Sequence, residues 1–119
     1  MKNLIACLVA ASTACAHAPG AGPASAPAAD QDRAAAAALQ ERADALEETL
    51  SALGVESKAP DCSRACGLVD QICDLGQRIC TISGRHVGDE DLANRCAAAT
   101  VRCQRSRDRA ASRCTCASP

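Results

Sequence analysis

Cysteine is the residue here whose number and spacing point to chemistry. Eight of the ten cysteines fall between Asp61 and Cys116: Cys62, Cys66, Cys73, Cys80, Cys96, Cys103, Cys114 and Cys116. Thiolates strung along a chain can ligate a soft metal, exchange disulfides or pair as structural staples. Their angular positions separate these readings. On an α-helix at about 100° per residue, Cys66 lies about 40° from Cys62, Cys73 about 20° and Cys80 about 0°, a single stripe. Relative to Cys96, Cys103 falls at about −20° and Cys114 at about 0°, a second stripe, whereas Cys116 falls at about 200°. A helix is therefore expected to end between Cys114 and Cys116.

Between the stripes lies Ser83-Gly84-Arg85-His86-Val87-Gly88-Asp89. Gly84 suits a left-handed C′ position. Asp89 suits an N-cap, followed by Glu90 and Asp91 in the first turn where the dipole favours acids. Asp61, after Pro60, suits the cap of the preceding helix. The expectation is an αα-hairpin with helices over 62–82 and 90–113.

Antiparallel helices in register pair residues whose numbers share a constant sum. The numbers of Cys80 and Cys96 sum to 176, as do those of Cys73 and Cys103. Cys62 with Cys114 also meets this sum but leaves Cys66 and Cys116 to bridge a mismatch. Nesting the outer pairs as Cys66–Cys114 and Cys62–Cys116 distributes the distortion and is preferred. The expected disulfides are thus Cys80–Cys96, Cys73–Cys103, Cys66–Cys114 and Cys62–Cys116, although spacing alone does not prove a connectivity.

Composition explains the need for staples. The chain has no Phe, Tyr or Trp. The hairpin's large aliphatics are Leu68, Val69, Ile72, Leu75, Ile79, Ile82, Val87, Leu92 and Val101. Roughly 1.5–3 kcal/mol for each buried side chain meets roughly 1–2 kcal/mol of backbone entropy for each ordered residue. Disulfides supply what so small a core lacks, and they imply an oxidising compartment.

The N-terminus fits that compartment. Met1-Lys2-Asn3 carries one positive charge, and Leu4 to Ala11 is an apolar run too short to span a bilayer. Ser12-Thr13-Ala14-Cys15 then resembles a bacterial lipobox, with Ser12 where the class usually has Leu. Residues 1–14 are expected to be a lipoprotein-type signal and Cys15 the lipidated residue, acylated in the manner of palmitate-bearing lipoproteins. Ala16 after that cysteine implies outer-membrane sorting in a Gram-negative cell. Ala14-Cys15-Ala16 and Ala16-His17-Ala18 also fit ordinary signal cleavage, which would give a periplasmic or secreted protein. Residues 15–29, rich in Ala, Pro and Gly, read as a tether.

Asp30 to Gly54 reads as an acidic amphipathic helix of net charge −4, capped by Asp30 and stopped by Gly54. Ala36, Leu39, Ala43, Leu46, Leu50 and Leu53 form a short heptad seam. Leu68, Ile72, Leu75, Ile79 and Ile82 form a second stripe on the first hairpin helix, about 240° from Cys62. That stripe needs a cover. Docking of the Leu39/Leu46/Leu50/Leu53 seam would make a small all-α three-helix bundle; the alternatives are a protein partner or self-association through the same leucines.

On the second hairpin helix Arg95, Arg102, Arg105, Arg109 and Arg113 lie away from the cysteines, with Arg107 on the cysteine side. They suit either a solvated face paired with the acidic first helix or an anion-binding face for lipid headgroups, an anionic polymer or an acidic envelope protein. Nucleic acid is not expected. Without Lys2 the chain has 12 basic against 14 acidic residues, and it has no aromatic for base stacking.

The segments DCSRACGLVDQICDLGQRIC and DEDLANRCAAATVRCQRSRDRAASRCTC resemble the Cys-rich C-terminal half of small lipoproteins of myxobacteria and related Gram-negative bacteria. The resemblance implies an exported, membrane-tethered, disulfide-rich helical protein without an assigned activity or catalytic residues.

No enzyme is expected. The chain has no Gly-x-Ser-x-Gly elbow, Walker loop, dinucleotide fingerprint or HExxH. His86 is the one histidine of residues 30–116, beside Arg85 and, in sequence, Ser83. Cys114-Thr115-Cys116 lacks the setting of a redox motif. No cofactor or metal is expected in the stapled reading. The alternative is a row of reduced thiolates sequestering a Cu(I)-type metal. The expected role is structural or binding work in the cell envelope.

Overall fold

A computed structural model describes residues 26–54 and 58–117. The expected signal (1–14), Cys15 and most of the tether lie outside these residues. The described chain holds three helices, α1 (Ala26–Ala52), α2 (Cys62–Gly84) and α3 (Glu90–Ala111), and no strand. α2 and α3 form an antiparallel hairpin. α1 lies along both and packs mainly on α2, running antiparallel to it. The all-α three-helix bundle expected from the seam is the fold.

Local chemistry sets the helix ends. Asp61 caps α2, its carboxylate accepting the Arg64 N–H at 3.0 Å. Asp89 caps α3 by accepting from the Leu92 N–H at 3.1 Å, and Glu90 and Asp91 follow in the first turn. α1 stops at Ala52, and Gly54 takes a left-handed φ of 60° just beyond.

Three boundaries differ from the sequence expectation. α1 starts at Ala26 rather than Asp30, so Asp30 is a helical residue and not the cap. Pro27 is compatible with this start because a first-turn N–H has no intrahelical acceptor to lose. Gly84 is the last residue of α2 rather than a left-handed C′ residue. The positive φ of the connection, 91°, belongs to Gly88 immediately before the Asp89 cap. α3 ends at Ala111, two residues before the expected end.

Two adjoining clusters make the core. One gathers Leu50, Ala65, Leu68, Val69, Ile72 and Ala110 with the Cys73 and Cys114 sulfurs. The other gathers Ala36, Ile79, Ile82, Leu92 and Ala99. The α2 stripe from Leu68 to Ile82 is buried throughout. Its cover is α1: Ala36, Ala43 and Leu50 are buried, while Leu39, Leu46 and Leu53 pack half-buried at its margins. The seam considered for self-association is therefore occupied within the chain.

Four disulfides fasten α3 and its tail to α2. Cys73–Cys103 and Cys80–Cys96 are as expected, with Cα–Cα distances of 4.8 and 4.6 Å. Backbones this close require small residues between the staples. A Cβ added to Gly76 would stand 3.3 Å from the Ala99 carbonyl oxygen. The outer pairs differ from the preferred nesting: the structure joins Cys62 to Cys114 and Cys66 to Cys116, not Cys66–Cys114 and Cys62–Cys116. The reason lies beyond Ala111. After a turn at 112–113, residues 114–117 carry no helix, so the tail is free to run back along the first turn of α2. Two extended residues advance about 6.6 Å, and the four helical residues from Cys62 to Cys66 rise about 6 Å. The tail thus matches α2 cysteine for cysteine.

Candidate functional site

The groups with chemical potential fall into three places: the disulfide ladder, the arginine face of α3 and the end of the bundle at the α2–α3 turn. In the ladder all eight described cysteines are bonded pairwise. A disulfide sulfur is neither the nucleophile nor the ligand that a thiolate is. The geometry is that of a covalent clamp.

The arginine face turns toward α1. Arg102 forms ion pairs with Asp44 and with Glu47, the latter at 3.2 Å, and its side chain is largely buried. Arg105 approaches Glu47 at 3.9 Å. Arg95 donates to the Gln40 amide oxygen at 2.8 Å and to Asp91 at 2.9 Å. Arg109 donates to the Ser51 hydroxyl. Arg113 is exposed beyond the helix end. Of the five arginines considered as one anion-binding face, Arg95, Arg102, Arg105 and Arg109 bond to neighbouring side chains, most of them on α1. The pairing with the acidic first helix is the arrangement observed.

The third place was not legible in the sequence as a constellation. Asp32, near the start of α1, accepts from the Arg85 guanidinium at 3.0 Å and stands 2.6 Å from His86 Nε2. An ionised carboxylate only accepts, so the imidazole donates from Nε2. Beside them Arg33 donates to Asp89 at 2.9 Å and to Asp30 at 2.8 Å. Asp89 therefore caps α3 and holds α1 at the same time. The α1 residues lie more than 50 positions from their partners in the turn, and no local pattern signals those pairs. The available signal was complementarity: two acids just before an arginine near the α1 start, and an Arg-His pair followed by an acid in the turn. Ser83 and His86 share this turn, but His86 Nε2 is committed to Asp32. The arrangement clamps α1 to the hairpin.

The clamp affects the carboxylates. The hydrogen bond from His86 and then those from Arg85 hold the Asp32 carboxyl below the usual range, against a smaller desolvation effect. Asp89 is lowered chiefly by the Leu92 N–H and then by Arg33. A depressed folded-state value adds stability that is present above the unfolded value of about 3.9 and is lost as pH falls through the folded value. The thermal midpoint is therefore expected to drop below about pH 4. Asp32→Asn should flatten that drop in a series of melts from pH 6 to pH 2.

Among the described residues no group of His, Cys, Asp and Glu is arranged to hold a metal ion, and no helix is long and apolar enough to cross a membrane. No family model, curated protein or solved structure matches this chain.

Proposed function

We propose that this chain is an exported protein of the cell envelope, anchored by a lipid on Cys15, with a structural or binding role rather than an enzymatic one. The observation that carries the reading is the disulfide ladder: four bonds in one small helical unit. Such a ladder persists in an oxidising compartment. The apolar run before Ser12-Thr13-Ala14-Cys15 supports a route there, and the Ala/Pro-rich residues after Cys15 supply a tether. The likeness to small Cys-rich envelope lipoproteins belongs to the same proposal.

The chemistry of the site supports binding or scaffolding. His86 is tied to Asp32, the ladder is closed, and α3's arginines largely hold α1. Cu(I) sequestration would require these sulfurs as thiolates, and reducing them would dissolve the clamp that aligns them.

Intact mass tests the proposal on protein purified from the membranes of an expressing Gram-negative host, with and without reduction and thiol alkylation. The expected mature chain begins at Cys15, carries acyl groups there and takes up alkylating agent only after reduction. A chain cleaved elsewhere and released to the soluble fraction would overturn the anchor. Free thiols with bound metal would overturn the stapled reading itself.

A further inference from the structure

The cationic groups left without an ion pair lie mainly away from the arginine face of α3. Arg42 on α1 and Arg78 on α2 have no ion pair among the described residues. Both border a hollow between α1 and α2 at the turn end of the bundle. Arg85 and the Thr81 hydroxyl complete its polar rim, and Leu39 and Ile82 lie among its apolar lining. The sequence accounts for the hollow. Where α1 faces Thr81, Ile82 and Arg85 it presents Ala35 and Ala38, side chains too short to fill the space beside Leu39. No carboxylate lines it. Asp32 is nearby but bonded to Arg85 and His86. Arg42 and Arg78 also line an adjoining hollow with Asp70 and Asp74, so the two arginines stand between a part of the groove without a carboxylate and a part with two.

We propose that this groove binds an anionic amphiphile, a phosphate or carboxylate head on a single aliphatic stem. The guanidiniums of Arg42 and Arg78 take the head, and the Ala35, Leu39 and Ile82 surface takes the stem; the Thr81 hydroxyl at the rim donates to the Gln77 carbonyl. Charge complementarity selects the head: guanidinium forks match oxyanions and are the strong donors for them. Asp70 and Asp74 disfavour an anion in the hollow that they share with the two arginines, so the head lies on the Thr81 and Arg85 side, which has no carboxylate in its lining. The apolar lining distinguishes the ligand from free phosphate, because burying a stem there removes apolar surface from water. This site does not depend on the anchor at Cys15.

The test uses the full chain carrying Cys15→Ser, so that no anchor contributes, and isothermal titration with three probes. Dodecyl phosphate below its micellar concentration is expected to bind with one site per chain. Inorganic phosphate, which has the head alone, and dodecyltrimethylammonium, which reverses the charge, are expected to bind at least tenfold more weakly. Arg42→Gln with Arg78→Gln is expected to weaken dodecyl phosphate by about tenfold or more, the scale of a lost charged hydrogen bond. Both side chains are exposed and neither forms an ion pair among the described residues. Arg64→Gln, an exposed arginine outside the lining, should leave binding unchanged. Equal binding of the cationic probe or of free phosphate, full affinity in the double variant, or no binding of dodecyl phosphate would each overturn the proposal.

Discussion

Full reduction of the four disulfides is expected to abolish the cooperative thermal transition of the protein and remove most of its helical circular dichroism at 37 °C. The core is too small to hold the hairpin unaided. Its large buried side chains are Leu50, Leu68, Val69, Ile72, Leu75, Ile79, Ile82 and Leu92, without one aromatic in the chain. A native disulfide in a small domain typically contributes about 2–4 kcal/mol, chiefly by restricting the unfolded chain. That is a large share of the total stability of a domain this size. The four bonds are not equivalent. Cys80–Cys96 closes the hairpin turn with a separation of 16 residues, Cys73–Cys103 spans 30, and Cys62–Cys114 spans 52. Once Cys62–Cys114 is closed, Cys66–Cys116 restrains only the last residues of the tail. Replacing Cys66 and Cys116 together by Ser should therefore lower the thermal midpoint much less than replacing Cys73 and Cys103. Comparable losses in the two variants would show that the tail packs cooperatively with the bundle. Retention of a sharp transition after complete reduction would show that the helices hold without staples.

The inner half of the ladder was legible because two independent regularities agreed. The helical angle placed the cysteines on facing stripes, and the constant sum of residue numbers set their register. The outer half differs because the nested, antiparallel order was carried past the end of the helix: Cys62–Cys114 keeps the constant sum, and the mismatch left to Cys66 and Cys116 disappears once the tail runs back along α2. Cys114 and Cys116 lie in a tail with a different rise per residue, and the direction of that tail is decided by a turn at 112–113. The docking of α1 was legible in the match between its seam and the orphan stripe of α2. The arginines were legible as a face, but what they face required the third helix. The Asp32 clamp was invisible for a more general reason. Ion pairs between elements depend on how one helix is placed over another, and the periodicity of either helix alone does not contain that placement.

Leu50→Ala is expected to release α1 while leaving the stapled hairpin folded. The eight sulfurs join α2 to α3 and its tail, so α1 has no covalent hold on the hairpin beyond the linker after Gly54. Its ion pairs are spread along its length, and pairs reaching water contribute about 0–1 kcal/mol each. The seam must therefore carry the docking. Leu50 is its fully buried leucine and packs in the cluster of Leu68, Val69 and Ile72. Truncating such a leucine costs about 2–5 kcal/mol. Once undocked, an alanine-rich helix of 27 residues is only marginally stable in water. Hydrogen exchange distinguishes release from global unfolding. In the variant, amides of α1 should lose protection while those of α2 and α3, held by the ladder, keep theirs. Val101→Ala, at a position 56% exposed, should change neither set by more than about 0.5 kcal/mol. Equal loss of protection in all three helices would mean that the hairpin needs α1 as much as α1 needs the hairpin. Selective loss would make α1 a detachable cover over the Leu68 to Ile82 stripe, and would divide the molecule into a covalently fixed part and a part held by packing alone.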